Sequence, residues 1–498
     1  MVSDRERRIL RVAAVYTFLV IVPSLAALAF LDAHRGKGLQ VPRVAASTPV
    51  SSGATSTKLL LAVAVIVVAC TAVGAVMRRF GQPAVIGEIL TGVLLGPSVF
   101  GALWPQGFHY LLPAEIMPPL NTLAGLGVIL FVFTTGLEVD TSLLRHRTST
   151  AVVVSHVSIA LPFVLGVVLA LAAHDRFAPA HVGYEPFALF MGVSMSVTAL
   201  PVMARILMDK GLLRSEVGTV ALTCALVDDA TAWSLLAVVV AFATASSFAG
   251  VVLTVALAIG FAVLMIVVVR PLMRVVASTS LAKRTEAFLP LTLAGLLLCA
   301  FATDRIGIHP IFGALIFGMI CPRDLPVFRW IRDHVGPITA ALLLPLFFAY
   351  SGLRTQLGLL GSNPVFWLWC LLILAVATIG KFAGSAVAAR AVGTDWRRSL
   401  QFGALMNCRG LTELVVLNIG LDLGVLTPTL FTMLVIMALV STAMTSPIVV
   451  ALRRRISSGP GSQQVPETAA GGAQRAPSDH SRRRAPAPPG RSRLPARE

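Results

Sequence analysis

Blocks of about twenty apolar residues recur along most of this chain, and they constrain its fold more than any other feature. Each block is long enough for a helix to cross a hydrocarbon core of about 30 Å at about 1.5 Å per residue. Charged residues make up 13% of the chain and hydrophobic residues 56%, whereas soluble domains contain about 25% charged residues. Uniform blocks of this length also argue against an outer-membrane barrel, whose strands are alternating segments of about ten residues. The sequence therefore predicts an all-α polytopic membrane protein.

The apolar blocks predict about 13–14 transmembrane helices, with the first block as the uncertain one. Lys and Arg concentrate in alternate short loops, so the positive-inside rule places those loops and both chain ends in the cytoplasm. The net charge of +17 then reflects membrane orientation and a basic tail, and no nucleic-acid partner is expected. The predicted spans are 10–31, 59–77, 84–103, 120–137, 149–172, 187–208, 216–244, 249–269, 288–303, 308–321, 337–353, 363–389, 400–421 and 427–450.

Composition divides the chain into three regions. Residues 1–58 contain an extra N-terminal transmembrane helix and a loop, or a signal-like segment, because several arginines precede the first apolar run. A retained helix is favoured, since no clear small-residue cleavage site follows Phe30. Residues 59–452 form the membrane domain. Residues 453–498 are rich in Pro, Gly, Ser, Arg and Ala without apolar periodicity, which predicts a disordered basic cytoplasmic tail.

Neither a nucleotide-binding loop nor a soluble catalytic domain interrupts this pattern. The six cysteines are scattered and lack the paired spacing of a metal site or a disulfide framework. We therefore expect neither an enzyme nor a resident cofactor, and an ion gradient as the energy source.

Two adjacent acidic residues, Asp228 and Asp229, lie near the centre of the apolar stretch TVALTCALVDDATAWS. A charge inside the membrane costs about 2.5–3.5 kcal/mol on insertion scales, so it is usually functional or paired. Neighbouring helical residues point about 100° apart, so one carboxylate can face a cavity while the other meets a partner. A buried carboxylate can hold a proton or transiently bind Na+ or K+, and competition between the two would be antiport. The alternative is that both aspartates are structural.

One lysine, Lys381, lies deep in the apolar block ILAVATIGKFAGSAVAAR. An ion pair between Lys381 and Asp228 that breaks when a cation arrives would release a proton. The alternative is that the lysine side chain snorkels to the membrane surface.

Two further segments are typical of broken helices, and they occupy corresponding places in two three-helix units, 149–244 and 363–450. Interrupted helices in corresponding halves of a transporter indicate a midplane binding site, although single kinks also occur in ordinary membrane helices. The first segment contains Ser194, Ser196, Thr198 and Pro201, and the second contains Asn407, Arg409, Gly410, Thr412, Glu413 and Asn418.

Glu88 is a further acidic residue within an apolar block. It could pair with Arg409, contribute to a cytoplasmic gate or have only a structural role. Arg409 and Glu413 are four residues apart and could instead neutralise each other.

An ordered series of motifs resembles the monovalent cation/proton antiporter-2 family of the sodium/hydrogen exchanger superfamily, from about residue 59 to 450. Two of its stretches, PLFFAYSGLRTQL and RGLTELVVLNIGL, look most like the cation/proton exchangers of plants. The motifs are GQPAVIGEILTGVLLGPSVFG, GLGVILFVFTTGLEVD, SVTALPVMARIL, ALVDDATAW, GIHPIFGALIFG, LPLFFAYSGLRTQL, GKFAGS and MNCRGLTELVVLNIGLDLGVL.

This resemblance implies an inverted-repeat antiporter fold with two broken crossover helices. It also implies a homodimer in the inner membrane, with a dimerisation domain and a core domain that moves in an elevator-like alternating access. By the resemblance, Asp229 is the principal ion-binding carboxylate, Asp228 its neighbour and Lys381 the basic partner, while Thr198 belongs to the first crossover.

The transported ion stays open between Na+ and K+. The aspartate pair resembles electrogenic exchangers, whereas the likeness to plant proteins favours potassium-handling ones. Two other function classes are possible: a gated cation channel, which would need a continuous pore, and an exporter of an organic ion, which would want a roomy cavity lined by aromatics. Aromatic residues are only 7% of the chain.

Overall fold

The computed structural model describes residues 54–138, 149–212, 215–244, 248–278, 285–322 and 325–457, and all the regular structure in these ranges is helical. The predicted first span, 10–31, and residues 458–498 of the predicted tail lie outside the described residues.

Twenty α-helices make up this part of the chain. Short π-type turns join α10 to α11 (Met265–Val269), α14 to α15 (Thr339–Leu343) and α16 to α17 (Ile379–Ala383). The α-helices are α1 (Ala54–Arg79), α2 (Ala84–Leu95), α3 (Phe100–Leu103), α4 (Pro105–Leu111), α5 (Met117–Glu138), α6 (Ser149–Phe177), α7 (Tyr184–Ser196), α8 (Leu200–Asp209), α9 (Glu216–Thr244), α10 (Phe248–Leu264), α11 (Arg270–Ser278), α12 (Thr285–Ile306), α13 (Pro310–Ile320), α14 (Pro326–Ile338), α15 (Leu344–Leu353), α16 (Pro364–Thr378), α17 (Gly384–Ala391), α18 (Trp396–Met406), α19 (Leu411–Asp422) and α20 (Pro428–Ser457).

Within the described residues, twelve of the predicted membrane spans are confirmed by helices long and apolar enough to cross a membrane. These are eleven helical stretches and the bent pair α18 and α19, if the pair is counted as one span. The shorter apolar helix α13 coincides with the predicted span 308–321. Each of the thirteen predicted spans between residues 59 and 450 therefore corresponds to one helix or to one group of successive helices.

One predicted boundary is wrong by about eleven residues. The span predicted to begin at 337 is part of a continuous helical stretch that begins at Pro326. Pro337 lies inside helix α14, and a π-type turn begins two residues later. The π-type turn changes the local backbone hydrogen bonding, and adjustments of this kind let membrane helices continue through a proline.

The helices form two bundles. In the first bundle, which we call the core bundle, α6 packs against α7, α9, α16 and α17, and α17 and α9 both pack against α18. In the second, the scaffold bundle, α5 packs against α13 and α15, α2 packs against α1 and α15, and α12 packs against α13. The two bundles meet where α15 contacts α19.

The core bundle contains both broken helices, as the sequence predicts. The first break separates α7 from α8, and its residues Val197 and Ala199 are extended. The second separates α18 from α19, whose axes differ by 41°. The breaks touch, because the amide of Ala199 donates to the carbonyl of Cys408 at 3.0 Å. A Cβ atom on Gly410 would lie 2.7 Å from a methyl carbon of Val202, so glycine is required for this approach.

Candidate functional site

Asp228 is fully buried at the centre of the core bundle and is surrounded by hydroxyl groups. Ser155 donates to its Oδ1 at 2.7 Å, and Ser158 and Thr198 donate to its Oδ2 at 2.6 Å and 2.7 Å. These donors come from α6 and from the first break. Charge-assisted hydrogen bonds of this length favour an ionised acceptor, so this environment suits a carboxylate anion.

Lys381 lies beside this carboxylate, in the π-type turn between α16 and α17. Its ammonium is 3.5 Å from Asp228 Oδ2, and both side chains are fully buried. Lys381 also donates a short hydrogen bond to the hydroxyl of Thr198. The lysine therefore does not snorkel to the surface, and the predicted pair with Asp228 is present. π-type turns inside helices often occur at functional sites.

Asp229 has a much sparser environment than its neighbour. It is 8% exposed, and Thr412 of α19 donates to its Oδ1 at 3.4 Å. The adjacent aspartates thus face different neighbours, as the helical geometry predicts. Because Asp229 keeps acceptor capacity that the described side chains do not fill, it is the carboxylate that has room for a proton or a cation.

Arg409 links the two broken helices. Its guanidinium donates to the carbonyls of Ser194 and Met195, at the end of α7, at 2.8 Å and 2.7 Å. It also pairs with Glu413 at 2.6 Å, and both side chains are fully buried. The last carbonyls of a helix lack partners within it and carry partial negative charge, so a cation is well placed there.

Two other predicted site residues do not join this cluster through a direct contact. Arg409 pairs with Glu413, while Glu88, the other partner considered for it, lies half-buried on α2 of the scaffold bundle. Asn407 is buried at the end of α18, and its side-chain amide has no hydrogen-bond partner among the described residues.

Sequence reasoning missed Ser155 and Ser158. They are three residues apart on α6, and helical residues at this spacing lie on one face. That spacing, within an apolar span, was the signal available in the sequence. It could not be interpreted without knowing that this face of α6 meets Asp228.

Chemically, the site combines one carboxylate held by four donors with a second that is mostly free. Among the described residues, no three His, Cys, Asp or Glu side chains are grouped as they would be around a resident metal ion. A small monovalent cation prefers oxygen ligands, and the Asp229 carboxylate and the Thr412 hydroxyl beside it are groups of this kind. The arrangement can therefore exchange a proton for a cation on Asp229 while Asp228 and Lys381 neutralise each other.

Several known proteins are similar to this chain over most of its length. A 41% identical relative, a Na+/H+ antiporter of Synechocystis, aligns over 80% of this chain and 98% of its own length. Cation/H+ antiporter 20 of Arabidopsis thaliana is 38% identical, and K+/H+ antiporter 1 of Saccharomyces cerevisiae is 32% identical. Those alignments cover 79% and 80% of this chain but only 48% and 46% of the plant and yeast proteins, so this chain spans about half their length.

The fold also has a solved counterpart. A sodium proton antiporter of Methanocaldococcus jannaschii superposes with a TM-score of 0.58 at 15% identity, over 80% of this chain and 97% of that protein. The family model described as the transmembrane sodium/hydrogen exchanger matches residues 61–451. This match covers most of the chain and contains both broken helices and the aspartate pair, so the chain belongs to the sodium/hydrogen exchanger family of multi-pass membrane proteins.

Proposed function

We propose that this protein is a secondary active transporter that exchanges a monovalent cation, Na+ or K+, for protons across the cell membrane. The observation that carries the proposal is the unequal environment of the two adjacent carboxylates. Asp228 receives three hydroxyl bonds and lies against an ammonium, whereas among the described side chains Asp229 receives one long bond, from Thr412. A free buried carboxylate is suited to hold either a proton or a cation, and that alternation couples their movements.

In this proposal, the remaining site residues support Asp229. Lys381 and Thr198 complete the surroundings of Asp228, and Arg409 with Glu413 fixes the two broken helices together. Glu88 and Asn407 have gating or supporting roles away from the carboxylates.

Alternating access would come from movement of the core bundle past the scaffold bundle. The division of the helices into two bundles, with the site inside one of them, supports an elevator-like motion that exposes Asp229 to each side in turn. The site helices α7 and α19 are almost wholly buried, whereas α10 is almost wholly exposed. Such a face suits lipid or a second copy of the chain, which supports a homodimer joined through the scaffold bundle.

The orientation completes the proposal. The basic loops predicted from the sequence would face the cytoplasm, with both chain ends inside and the protein in the inner membrane. The relatives whose names specify Na+/H+ or K+/H+ exchange support both ions as candidates for this chain.

Proton flux in proteoliposomes tests this function. Purified protein is reconstituted with a pH-sensitive dye inside the vesicles, and Na+, K+, Li+ or Rb+ is added outside. An exchanger moves protons when its cation is added. When Na+ is the added cation, the proton movement persists while a potassium diffusion potential holds the membrane voltage constant. Vesicles that pass cation current without any proton movement would instead identify the channel alternative.

A further inference from the structure

Ser155 and Ser158 of α6 form a pair of hydroxyl groups whose purpose is not explained by helix packing alone. Both side chains are fully buried, and both reach across to α9 to contact the same carboxylate. Ser155 binds Oδ1 of Asp228 and Ser158 binds Oδ2, so the two serines hold both oxygen atoms.

The hydroxyl of Ser158 has two acceptors within reach but only one hydrogen to donate. The carbonyl of Ser155 is 2.8 Å away and Asp228 Oδ2 is 2.6 Å away. Hydrogen bonds to charged acceptors are about twice as strong as those between neutral groups. The hydrogen therefore points to Asp228, and the plane of the carboxylate is fixed by donors on both of its oxygens.

Because the plane of the Asp228 carboxylate is fixed, the position of its Oδ2 atom, which faces the Lys381 ammonium, is fixed as well. Oδ2, the oxygen nearest to Lys381, is also bonded by Ser158 and Thr198. Asp229 follows Asp228 directly on α9 and is also buried, so the two carboxylates are neighbours. If Asp228 turned away, the ammonium would lose its paired counter-charge, and Asp229 and Glu413 would be the other buried carboxylates of the site.

We propose that Ser155 and Ser158 are positioning residues that hold Asp228 against Lys381 and thereby keep the lysine from competing with the transported cation for Asp229. This inference rests on the proposed exchange function and adds a division of labour between the carboxylates. The serines touch neither the cation nor the proton, and act through Asp228 and Lys381.

The test measures the effect of the double substitution Ser155→Ala/Ser158→Ala twice. It is measured once in the otherwise wild-type protein and once in a protein that also carries Asp228→Asn. Exchange is measured in proteoliposomes with whichever of Na+ or K+ drives the faster proton flux, and the apparent KM for the cation is separated from the maximal rate. We expect the double alanine variant to raise KM about tenfold, the factor that corresponds to about one charge-assisted hydrogen bond, with a much smaller change in maximal rate.

Ser441→Ala is the matched control. Ser441 of α20 is equally buried, but its hydroxyl donates to the carbonyl of Ala438 in its own helix, at 3.1 Å. The Ser441→Ala variant loses a serine hydroxyl that does not contact a carboxylate, so the KM of this variant should equal that of the wild type.

The Asp228→Asn background separates positioning from packing. If the serines act through the carboxylate, their removal changes KM and the thermal unfolding midpoint much less in this background than in the wild type. Equal effects in the two backgrounds, or a wild-type KM in the folded double alanine variant, would overturn the proposal. The unfolding midpoints decide the matter if Asp228→Asn transports too slowly to measure. A wild-type protein that exchanges no cation would refute the proposed function, whereas the midpoints would still test the positioning role.

Discussion

At the scale of single residues, the charged side chains buried at the site fall into two groups, those in an ion pair and one that is not. Asp228, Lys381, Arg409 and Glu413 are each paired with an opposite charge and fully buried. Among the described residues, Asp229 has no ion pair of this kind, and the hydrogen bond that it receives from Thr412 is long. An intramembrane carboxylate without a partner is costly and is therefore expected to be functional.

Asp229→Asn should abolish exchange and leave the protein folded, because it removes the titratable charge and keeps nearly the same volume. Proton flux in proteoliposomes measures the loss, and size-exclusion profiles report folding. Asp304→Asn, the same change at an exposed position on α12, is the control and should exchange normally. Normal cation-driven flux through Asp229→Asn would remove this residue from the site.

Lys381→Ala should destabilise the protein and impair exchange. Removing one partner of a buried ion pair leaves the other charge uncompensated, which costs about 3–5 kcal/mol. Thermal unfolding in detergent measures this cost. Arg305→Ala, which removes a positive charge at an exposed position in the last turn of α12, is a control that should unfold near the wild-type temperature. Unchanged unfolding and flux in Lys381→Ala would mean that the pair contributes little.

At the scale of helices, the two breaks depend on a close approach of backbones. Arg409 bonds to the end of α7, while the backbone amide of Arg409 donates to the hydroxyl of Thr442 on α20 at 3.1 Å. The second break is therefore held from two sides. Its position next to the first break depends on the small size of Gly410.

Gly410→Ala should impair exchange and destabilise the protein by about 1–3 kcal/mol, the usual cost of overpacking. Its new methyl group would press against Val202, at the 2.7 Å approach described above. A second substitution, Val202→Ala, removes the obstructing methyl groups, so Gly410→Ala/Val202→Ala should recover part of the lost stability and flux. Thermal unfolding and proteoliposome flux of the three variants measure this. An additive loss in the double variant would contradict the explanation.

The sequence was sufficient to locate both broken helices and the aspartate pair, because polar residues and Pro or Gly stand out within apolar blocks. It also predicted the partner of Lys381. It could not predict Ser155 and Ser158, because a serine inside a membrane helix usually bonds to its own backbone and gives no sign of a distant partner. The start of α14 was missed because this helix carries several charged residues and is much less apolar than the span that follows it, and the π-type turn that continues it gives no signal in the sequence.

At the scale of the whole molecule, the two bundles are joined by polar contacts that would have to break if one bundle slides past the other. Arg354, after α15 of the scaffold bundle, pairs with Asp422 at the end of α19 at 2.7 Å and donates to Asn418 at 3.1 Å. The ion pair is partly exposed, so it stabilises the protein by at most about 1 kcal/mol. A contact this weak can hold one state without preventing the movement.

Cross-linking across this contact should stop exchange. In Arg354→Cys/Asp422→Cys, a short bis-methanethiosulfonate reagent, which forms a disulfide with each cysteine, would tie α15 to α19 and block the relative movement of the bundles. A reducing agent cleaves these disulfides and should restore flux. Five of the six native cysteines are buried and the sixth is half-buried, so the wild type and each single variant serve as reagent controls. Full exchange by the cross-linked protein would contradict movement between these bundles.

The central claim is that a proton and a cation compete for Asp229. Proton release on cation binding tests it most directly: the purified protein is titrated with Na+ or K+ in weakly buffered solution at several pH values, and released protons and bound cation are both measured. The claim predicts that proton release rises in step with cation binding. The number of protons released per bound cation is larger at acidic pH, where more of the carboxylate begins protonated, and Asp229→Asn shows neither cation binding nor proton release. Cation binding without proton release at every pH, or undiminished release in Asp229→Asn, would contradict it.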